Sequence, residues 1–136
     1  MSLDTAETPA RARVLVVDDA ATVRLYHTSL LGEAGFEVAE AANGLEAVEA
    51  AMGTAYDLFV VDVNMPKMNG YACVETLRSE TVGSAAPVLM ISTEDRSGDA
   101  DRAYQAGANL YLVKPVAAER LVRVARMLTW GKGPVA

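Results

Sequence analysis

The chain of 136 residues is 51% hydrophobic, which allows one domain with a well-packed core and leaves too little length for two. It has 12 Lys and Arg residues against 18 Asp and Glu residues, and the net charge of -6 disfavours direct binding to nucleic acid or an anionic membrane surface. No apolar run approaches the roughly 20 residues that span a bilayer, so we expect no membrane insertion.

Cysteine usage and the first residues bear on the cellular compartment. Cys73 is the single cysteine of the sequence and cannot form an internal disulfide. No basic segment followed by an apolar stretch begins the chain, so nothing in it argues for export. We therefore expect a cytoplasmic protein.

Apolar runs of strand length alternate with segments of helical periodicity between residues 11 and 130, which we take as the domain. Residues 1–10 are small and polar and predict a disordered tail, and residues 131–136 predict a second one. The apolar runs predict strands at residues 14–17, 36–40, 58–61, 88–91 and 109–113. The second of these alternates in polarity, as an edge strand does.

The segments between the predicted strands have apolar residues at helical spacing. Their predicted buried faces are Val23, Tyr26, Leu30 and Ala34 in the first helix, Leu45, Val48 and Met52 in the second, and Leu121, Val124 and Leu128 in the last. Asn43 or Gly44 is expected to cap the second helix and Asn69 the third, while Gly35 and Gly107 stand where helices should end.

Five strands that alternate with five helices predict an α/β fold, a doubly wound parallel sheet with helices on both faces, because each right-handed crossover buries an apolar stripe. Ligands bind such a sheet beyond the carboxyl ends of its strands. The residues that follow each predicted strand are therefore the candidate functional residues.

Polar side chains follow four of the predicted strands. They are Asp18 and Asp19 after the first strand, Asp62 after the third, Ser92 and Thr93 after the fourth, and Lys114 after the fifth. Three carboxylates at one edge either hold protons or require a cation, since neighbouring like charges disfavour joint ionisation. Oxygen ligands without His or Cys favour Mg²⁺. The alternative for the first pair is a solvated turn that caps the next helix.

A cluster of this composition suits phosphoryl transfer, in which a protein positions the reactants and neutralises charge on the phosphoryl oxygens. A carboxylate is itself a nucleophile that gives an aspartyl phosphate. Asp62 is the best candidate, because it stands alone after the expected central strand and faces the pair Asp18 and Asp19.

Four segments, "VLVVDD", "VVDVNMPKMNG", "PVLMIST" and "AGANLYLVKP", occur in this order in the sequence. Together they resemble the receiver domain of two-component response regulators, and the nearest type is the single-domain chemotaxis (CheY-like) one. The resemblance covers about residues 11–130. It implies a flavodoxin-like sheet with strand order 2-1-3-4-5. It also implies a signalling protein of a phosphorelay, and not an enzyme that turns over an external substrate.

The resemblance assigns the phosphoacceptor role to Asp62. In this family the donor is a phosphohistidine on a sensor histidine kinase or a histidine phosphotransfer protein. The resemblance also implies that Asp18, Asp19, Asp62 and the backbone carbonyl of Asn64 hold Mg²⁺.

Other matches concern the phosphoryl oxygens and the signal. The Ser92 hydroxyl and the Lys114 ammonium are expected to bond phosphoryl oxygens. Tyr111 matches the aromatic switch residue that turns inward when Ser92 is drawn to the phosphate, and ordinary packing of a half-buried strand tyrosine is the alternative. The peptide bond before Pro115 is expected to be cis.

Three residues near the acceptor are expected to set the lifetime of the phosphoryl group. Asn64 and Glu94 match the residues found in fast-dephosphorylating chemotaxis members, which implies a lifetime of seconds to minutes. Thr93 stands where many members have Ala or Gly, and its bulk is expected to narrow access.

The resemblance implies that a downstream effector docks on the fourth helix, fifth strand and fifth helix. Arg120, Arg123 and Arg126 recur along the last helix, and a solvated basic face is the alternative to docking there. The fourth helix, at residues 98–106, is alanine-rich, so we expect it to shift between two states. We expect a monomer or a weak phosphorylation-dependent dimer, and either a stand-alone regulator or a receiver from a longer protein.

Other functions have weaker support in the sequence. A phosphatase of the haloacid dehalogenase type has a second aspartate two residues after its nucleophile, where this chain has Ala20 after Asp18 and Asn64 after Asp62. A nucleotide-binding module is also disfavoured, because no glycine-rich loop follows the first predicted strand. A degenerate receiver used only for docking is disfavoured, because the acidic, hydroxyl and ammonium positions are all filled. His27, the single histidine of the sequence, is expected at the surface or boundary of the first helix.

Overall fold

The computed structural model describes residues 11–80, 85–94 and 96–131, so both predicted tails, apart from Gly131, lie outside the described residues. The described residues form these elements, in chain order: β1 Arg13–Val17, α1 Ala21–Glu33, β2 Glu37–Ala41, α2 Gly44–Gly53, β3 Leu58–Asp62, α3 Gly70–Glu80, β4 Val88–Ser92, α4 Asp99–Ala106, β5 Leu110–Val113 and α5 Ala118–Leu128. Each strand agrees with its predicted bounds to within one residue. Among the described residues, none of the helices is long and apolar enough to cross a bilayer.

The five strands form one parallel sheet with the order β2-β1-β3-β4-β5, which confirms the predicted fold. β3 is central: Val16 of β1 pairs with Val60, and Ile91 of β4 pairs with Asp62. β2 is an edge strand, as its alternating polarity predicted. Since all strands run in one direction, their carboxyl ends share one edge of the sheet, here called the carboxyl edge, and their amino ends share the opposite amino edge.

Successive strand side chains point to opposite faces, and each face is covered by helices. Leu15, Phe59 and Met90 pack on the face covered by α2, α3 and α4. Val16, Val60 and Leu89 pack on the other face, together with residues of α1 and α5. The continuous apolar runs are explained by this burial on both sides.

The predicted buried face of α2 was partly wrong, since only Val48 of its three residues packs against the core. Leu45 and Met52 are 51% and 59% exposed, and Ala47 and Ala51 are buried instead. The reason is close packing of this helix: a Cβ at Gly44 would lie 2.9 Å from the carbonyl oxygen of Met68. Small side chains therefore occupy the contact, and the large ones remain outside.

The predicted face of α1 was also partly wrong. The buried residues are His27 and Leu31, whereas Tyr26 is 50% exposed. His27 is only 4% exposed, which corrects its expected place at the surface or boundary. Burial lowers the pKa of its imidazole, so the neutral form packs inside the protein. In α5 the prediction was right, since Leu121 is buried and Val124 and Leu128 pack against the same core.

The predicted helix boundaries are confirmed. Asn43 Oδ1 accepts the Glu46 N–H at 2.9 Å, which caps α2, and Asn69 Oδ1 accepts the Ala72 N–H at 2.9 Å at the start of α3. Gly35 and Gly107 follow α1 and α4 with φ of 105° and 120°, a conformation that favours glycine.

Candidate functional site

Two buried carboxylates and one ammonium group meet at the carboxyl edge. Asp18 and Asp62 are only 2% and 5% exposed. Lys114 Nζ lies 2.9 Å from Asp18 Oδ2 and 3.1 Å from Asp62 Oδ1. The Lys114–Pro115 peptide is cis, as expected. Residues separated by up to 96 positions thus form one ion-pair network.

Asp19 adds a third carboxylate on the solvent side of this network. Carboxylate oxygens of Asp18, Asp19 and Asp62 lie within 4.8 Å of one another. These three carboxylates would hold one Mg²⁺ after side-chain adjustment, since the ion binds oxygen ligands at about 2.1 Å. The donor set, which is all oxygen, suits a hard cation.

The charges of this cluster do not balance, and the titration of its members reflects that. Burial raises the pKa of the Asp62 carboxyl to about 6, and the Asp18 charge adds to the effect, whereas Lys114 opposes it. Burial acts to lower the pKa of Lys114, but hydrogen bonds and charges of Asp18 and Asp62 raise it overall. The cluster therefore holds more negative than positive charge, which favours a bound cation.

The loop after β1 is held by its own backbone and by α1. Asp18 Oδ1 accepts the Ala20 N–H at 2.9 Å, and the Asp18 N–H bonds the Ala41 carbonyl at 3.2 Å. Arg24 Nη1 donates to the Asp18 carbonyl oxygen at 2.7 Å, and Arg24 Nε donates to Glu40 Oε1 at 2.7 Å. Sequence reasoning missed Arg24, whose only signal was a basic residue one turn into the helix that follows the acidic pair.

The chain after β3 returns close to the end of that strand at Gly70. A Cβ at this position would lie 2.5 Å from the Asp62 carbonyl oxygen, which excludes any side chain. The Gly70 N–H bonds the Val63 carbonyl at 2.8 Å. Gly70 thus holds the start of α3 against Asp62, another contact that sequence reasoning missed.

Ser92 and Tyr111 both form hydrogen bonds with the backbone of Glu94, one with its N–H and the other with its carbonyl. Ser92 is fully buried, and its Oγ accepts the Glu94 N–H at 2.9 Å. The Tyr111 hydroxyl donates to the Glu94 carbonyl oxygen at 2.7 Å. The backbone of Glu94 therefore connects the buried hydroxyl at the end of β4 with a half-buried tyrosine on β5.

Asn64, Thr93 and Glu94 lie at the opening of the site. Asn64 and Glu94, together with Asp19, line a cleft of about 320 Å³. Asn64 Nδ2 donates to Thr93 Oγ1 at 3.4 Å. The Glu94 carboxylate pairs with Arg96 at 2.7 Å. The structure thus brings Asn64, Thr93 and Glu94 together near Asp19.

The surface formed by α4, β5 and α5 is exposed in the described residues. Tyr104, Val113 and Met127 contribute large apolar side chains to these three elements and are 45%, 37% and 58% exposed. Arg120 and Arg123 are exposed on α5, and Arg126 reaches the Ala34 carbonyl at 3.3 Å. The burial of α4 rests on Ala103 and Ala106 alone.

Comparisons with known proteins agree with this geometry. Residues 14–126 match the family model described as response regulator receiver domain. PilH of Pseudomonas aeruginosa is 33% identical over 120 residues, which are 88% of this chain and 99% of PilH. Two other curated relatives are longer, and the chain spans 13% and 52% of their lengths.

Solved structures give the same result. Chemotaxis protein CheY4 of Vibrio cholerae is 35% identical, with a TM-score of 0.83 and coverage of 88% of this chain and 99% of CheY4. The receiver domain of sensor histidine kinase PA1611 from Pseudomonas aeruginosa is 28% identical with a TM-score of 0.81, covers 88% and 98% of the two chains, and has a magnesium ion coordinated in its active site cleft. The chain belongs to the response regulator receiver domain family, with a CheY-like fold.

Proposed function

We propose that Asp62 accepts a phosphoryl group from a phosphohistidine of a sensor histidine kinase or a histidine phosphotransfer protein. One observation carries the proposal: the Asp62 carboxylate is buried at the end of the central strand with Lys114 Nζ at 3.1 Å and two further carboxylates beside it. Membership of a signalling family supports this role over turnover of an external substrate.

In the acceptor step an Asp62 carboxylate oxygen attacks phosphorus, the bond from phosphorus to the donor's imidazole nitrogen breaks, and its electron pair stays on that nitrogen. Lys114 Nζ bonds a phosphoryl oxygen, because it already lies beside Asp62 Oδ1. Asp18, Asp19, Asp62 and the backbone carbonyl of Asn64 would hold Mg²⁺, which when bound supplies positive charge for the phosphoryl oxygens. The magnesium ion in the cleft of the PA1611 receiver supports this assignment.

The signal passes from Ser92 to Tyr111 through Glu94. Ser92 Oγ donates to a phosphoryl oxygen and gives up the Glu94 N–H, which it accepts at 2.9 Å. The Glu94 backbone then moves, and with it the carbonyl that holds the Tyr111 hydroxyl at 2.7 Å. Tyr111 turns inward and α4, held by two small buried side chains, shifts with it, which changes effector binding to the α4, β5 and α5 surface.

The phosphoryl group is then lost by hydrolysis. Water attacks phosphorus, the bond to the Asp62 oxygen breaks, and inorganic phosphate leaves. Asn64 and Glu94 orient this water, and both line the cleft beside Asp19. The Thr93 side chain, which accepts a hydrogen bond from Asn64 Nδ2, narrows access to the phosphoryl group. The proposed setting is cytoplasmic chemotaxis-type signalling by a monomer or a weak phosphorylation-dependent dimer, and likeness to CheY4 supports it.

The test is intact mass after incubation with acetyl phosphate and Mg²⁺. We expect one phosphoryl adduct in the unsubstituted protein and none in Asp62→Asn or in excess chelator. An adduct on Asp62→Asn of equal yield, or none on the folded unsubstituted protein with Mg²⁺, would contradict the proposal.

A further inference from the structure

Arg24 links the acidic loop to the edge strand of the sheet. From one guanidinium, Nη1 donates to the Asp18 carbonyl oxygen and Nε donates to Glu40 Oε1, both at 2.7 Å. The Arg24 side chain is 17% exposed, so both bonds are partly shielded from water, while Glu40 is 52% exposed. The rigid planar group fixes the angle between its two partners, which a lysine does not do.

The Asp18 carbonyl needs such a donor. It lies at the start of a loop that carries two carboxylates, and the negative end of its own dipole adds to their repulsion. The Asp18 side chain is already committed, because Oδ1 accepts the Ala20 N–H and Oδ2 accepts Lys114 Nζ. The hydrogen bond from Arg24 thus holds the Asp18 carbonyl, and with it the peptide from which Asp19 follows.

We propose that Arg24 is a positioning residue, which holds the loop of Asp18 and Asp19 in the conformation that binds a divalent cation, with Glu40 as its anchor. The role rests on the proposed function only in taking Mg²⁺ as the ligand. Arg24 touches neither the cation nor the phosphoryl group, and it acts through the Asp18 backbone. Replacing a residue that holds a metal ligand in place without touching the metal changes metal affinity by about 10- to 100-fold.

Removal of Arg24 changes Mg²⁺ affinity in opposite directions depending on whether Arg24 acts only as a nearby charge or as a positioning residue. A positive charge that merely lies near the site repels the cation, so its removal tightens Mg²⁺ binding. A positioning residue has the reverse effect, and we expect Arg24→Ala to weaken Mg²⁺ binding about 10-fold. Arg24→Lys keeps the positive charge but loses the planar guanidinium that bonds both partners, so it is also expected to weaken Mg²⁺ binding. Glu40→Ala is expected to weaken Mg²⁺ binding less than Arg24→Ala does. The double variant Arg24→Ala/Glu40→Ala is expected to bind Mg²⁺ as tightly as Arg24→Ala, because Glu40 acts through Arg24.

Arg13 and Glu37 provide a matched control. They form an ion pair at 3.1 Å between the first residues of β1 and β2, at the other end of the strands that carry Arg24's partners. Arg13 lies five residues before Asp18 in an extended strand and is screened from the site, so Arg13→Ala is expected to change Mg²⁺ affinity less than about twofold.

The experiment is calorimetric titration of the full chain with Mg²⁺ alone, and amide hydrogen exchange at Ala20 gives a second readout. Exchange is expected to accelerate in Arg24→Ala and Arg24→Lys but not in Arg13→Ala, and thermal unfolding verifies that each variant is folded. If both Arg24 variants bind Mg²⁺ as tightly as the unsubstituted protein or more tightly, the positioning role of Arg24 is overturned and the proposed function stands. A lack of Mg²⁺ binding by the unsubstituted protein overturns the proposed function and, with it, this role.

Discussion

The two edges of the sheet each carry a partly buried charged cluster, and the two differ in how the charge is balanced. At the amino edge, the Arg78 guanidinium donates to the Ala86 carbonyl, to the Gly107 carbonyl at 2.7 and 3.0 Å, and to Asn109 Oδ1 at 2.9 Å. At the carboxyl edge, Asp18, Asp19 and Asp62 share the Lys114 ammonium, and the Asp62 pKa is raised to about 6 by burial and the Asp18 charge. The Arg78 guanidinium finds its acceptors within the protein, whereas the carboxylates of the carboxyl edge keep an excess of negative charge that added positive charge would balance.

This difference separates a structural cluster from a functional one. The partners of Arg78 are fixed at the starts of β4 and β5, and Asn109 Oδ1 also accepts the Val88 N–H at 2.8 Å. The Arg78 cluster therefore connects α3 to two strands. At the carboxyl edge, burial and the neighbouring Asp18 charge oppose ionisation of Asp62, so added positive charge there is expected to be favourable.

Replacement of Arg78 by methionine is expected to have the largest effect on stability. It leaves the Ala86 and Gly107 carbonyls without this donor, and each buried polar group that loses its partner costs about 1–3 kcal/mol, so we expect a loss of about 4 kcal/mol. Urea unfolding monitored by circular dichroism measures it. Arg126→Met, at an exposed site, is the control and should stay within about 0.5 kcal/mol. A loss below about 1 kcal/mol for Arg78→Met would show that the amino edge does not depend on this cluster.

Asp62→Asn is expected to stabilise the metal-free protein at neutral pH. The folded-state pKa of about 6 exceeds the ordinary value of 3.8, so the folded state binds the extra proton between these values and stability falls as pH rises through them. The difference between these two pKa values corresponds to a gain of at most about 3 kcal/mol for the substitution above pH 6. Urea unfolding in chelator at several pH values tests this. The gain should vanish below about pH 4, and a gain independent of pH would contradict the charge imbalance.

Asn64→Ala combined with Glu94→Ala is expected to lengthen the lifetime of the phosphoryl group at least 10-fold, about 1.4 kcal/mol, because the attacking water loses both groups that orient it. Thr93→Ala has the opposite expected effect, since it removes bulk next to Asn64 at the opening of the site. Both are measured as the decay of the adduct mass after removal of the phosphodonor. An unchanged decay rate in the double variant would mean that the opening of the site does not set the lifetime.

His27 is expected to give the smallest effect. Burial lowers its pKa in the folded state below 6.5, so the unfolded state binds the proton first and stability falls as pH decreases below that value. Asp62 titrates nearby with the opposite sign, so the comparison belongs in the Asp62→Asn background. There, His27→Gln should flatten the dependence of unfolding free energy on pH below 6.5. A slope that persists in this variant would assign the effect to another group.

The sequence predicted the strands and the edge on which the acidic residues meet, because buried parallel strands are continuous apolar runs and their ends are marked by polar residues. Helix faces were less predictable. The contact of α2 is made by Ala47 and Ala51 next to Gly44, and a count of large apolar residues points to Leu45 and Met52 instead.

The contacts of Arg24 and Arg78 could not be predicted, because both donate to backbone carbonyls. A carbonyl leaves no mark on the residue type that carries it, so such partners emerge only when the fold brings distant segments together. The same holds for the Glu94 backbone, which accepts the Tyr111 hydroxyl and donates to Ser92. The motif identifies the chemical groups of the site, and the fold determines how they are connected.

The most direct test of the central claim is to identify which carboxylate carries the phosphoryl group. The protein is incubated with acetyl phosphate and Mg²⁺, the acyl phosphate is reduced with borohydride, and peptide mass spectrometry locates the resulting homoserine. The structure predicts conversion at Asp62 and none at Asp18 or Asp19. Conversion at either of the latter, with Asp62 unmodified, would contradict the assignment of the buried central carboxylate as the acceptor.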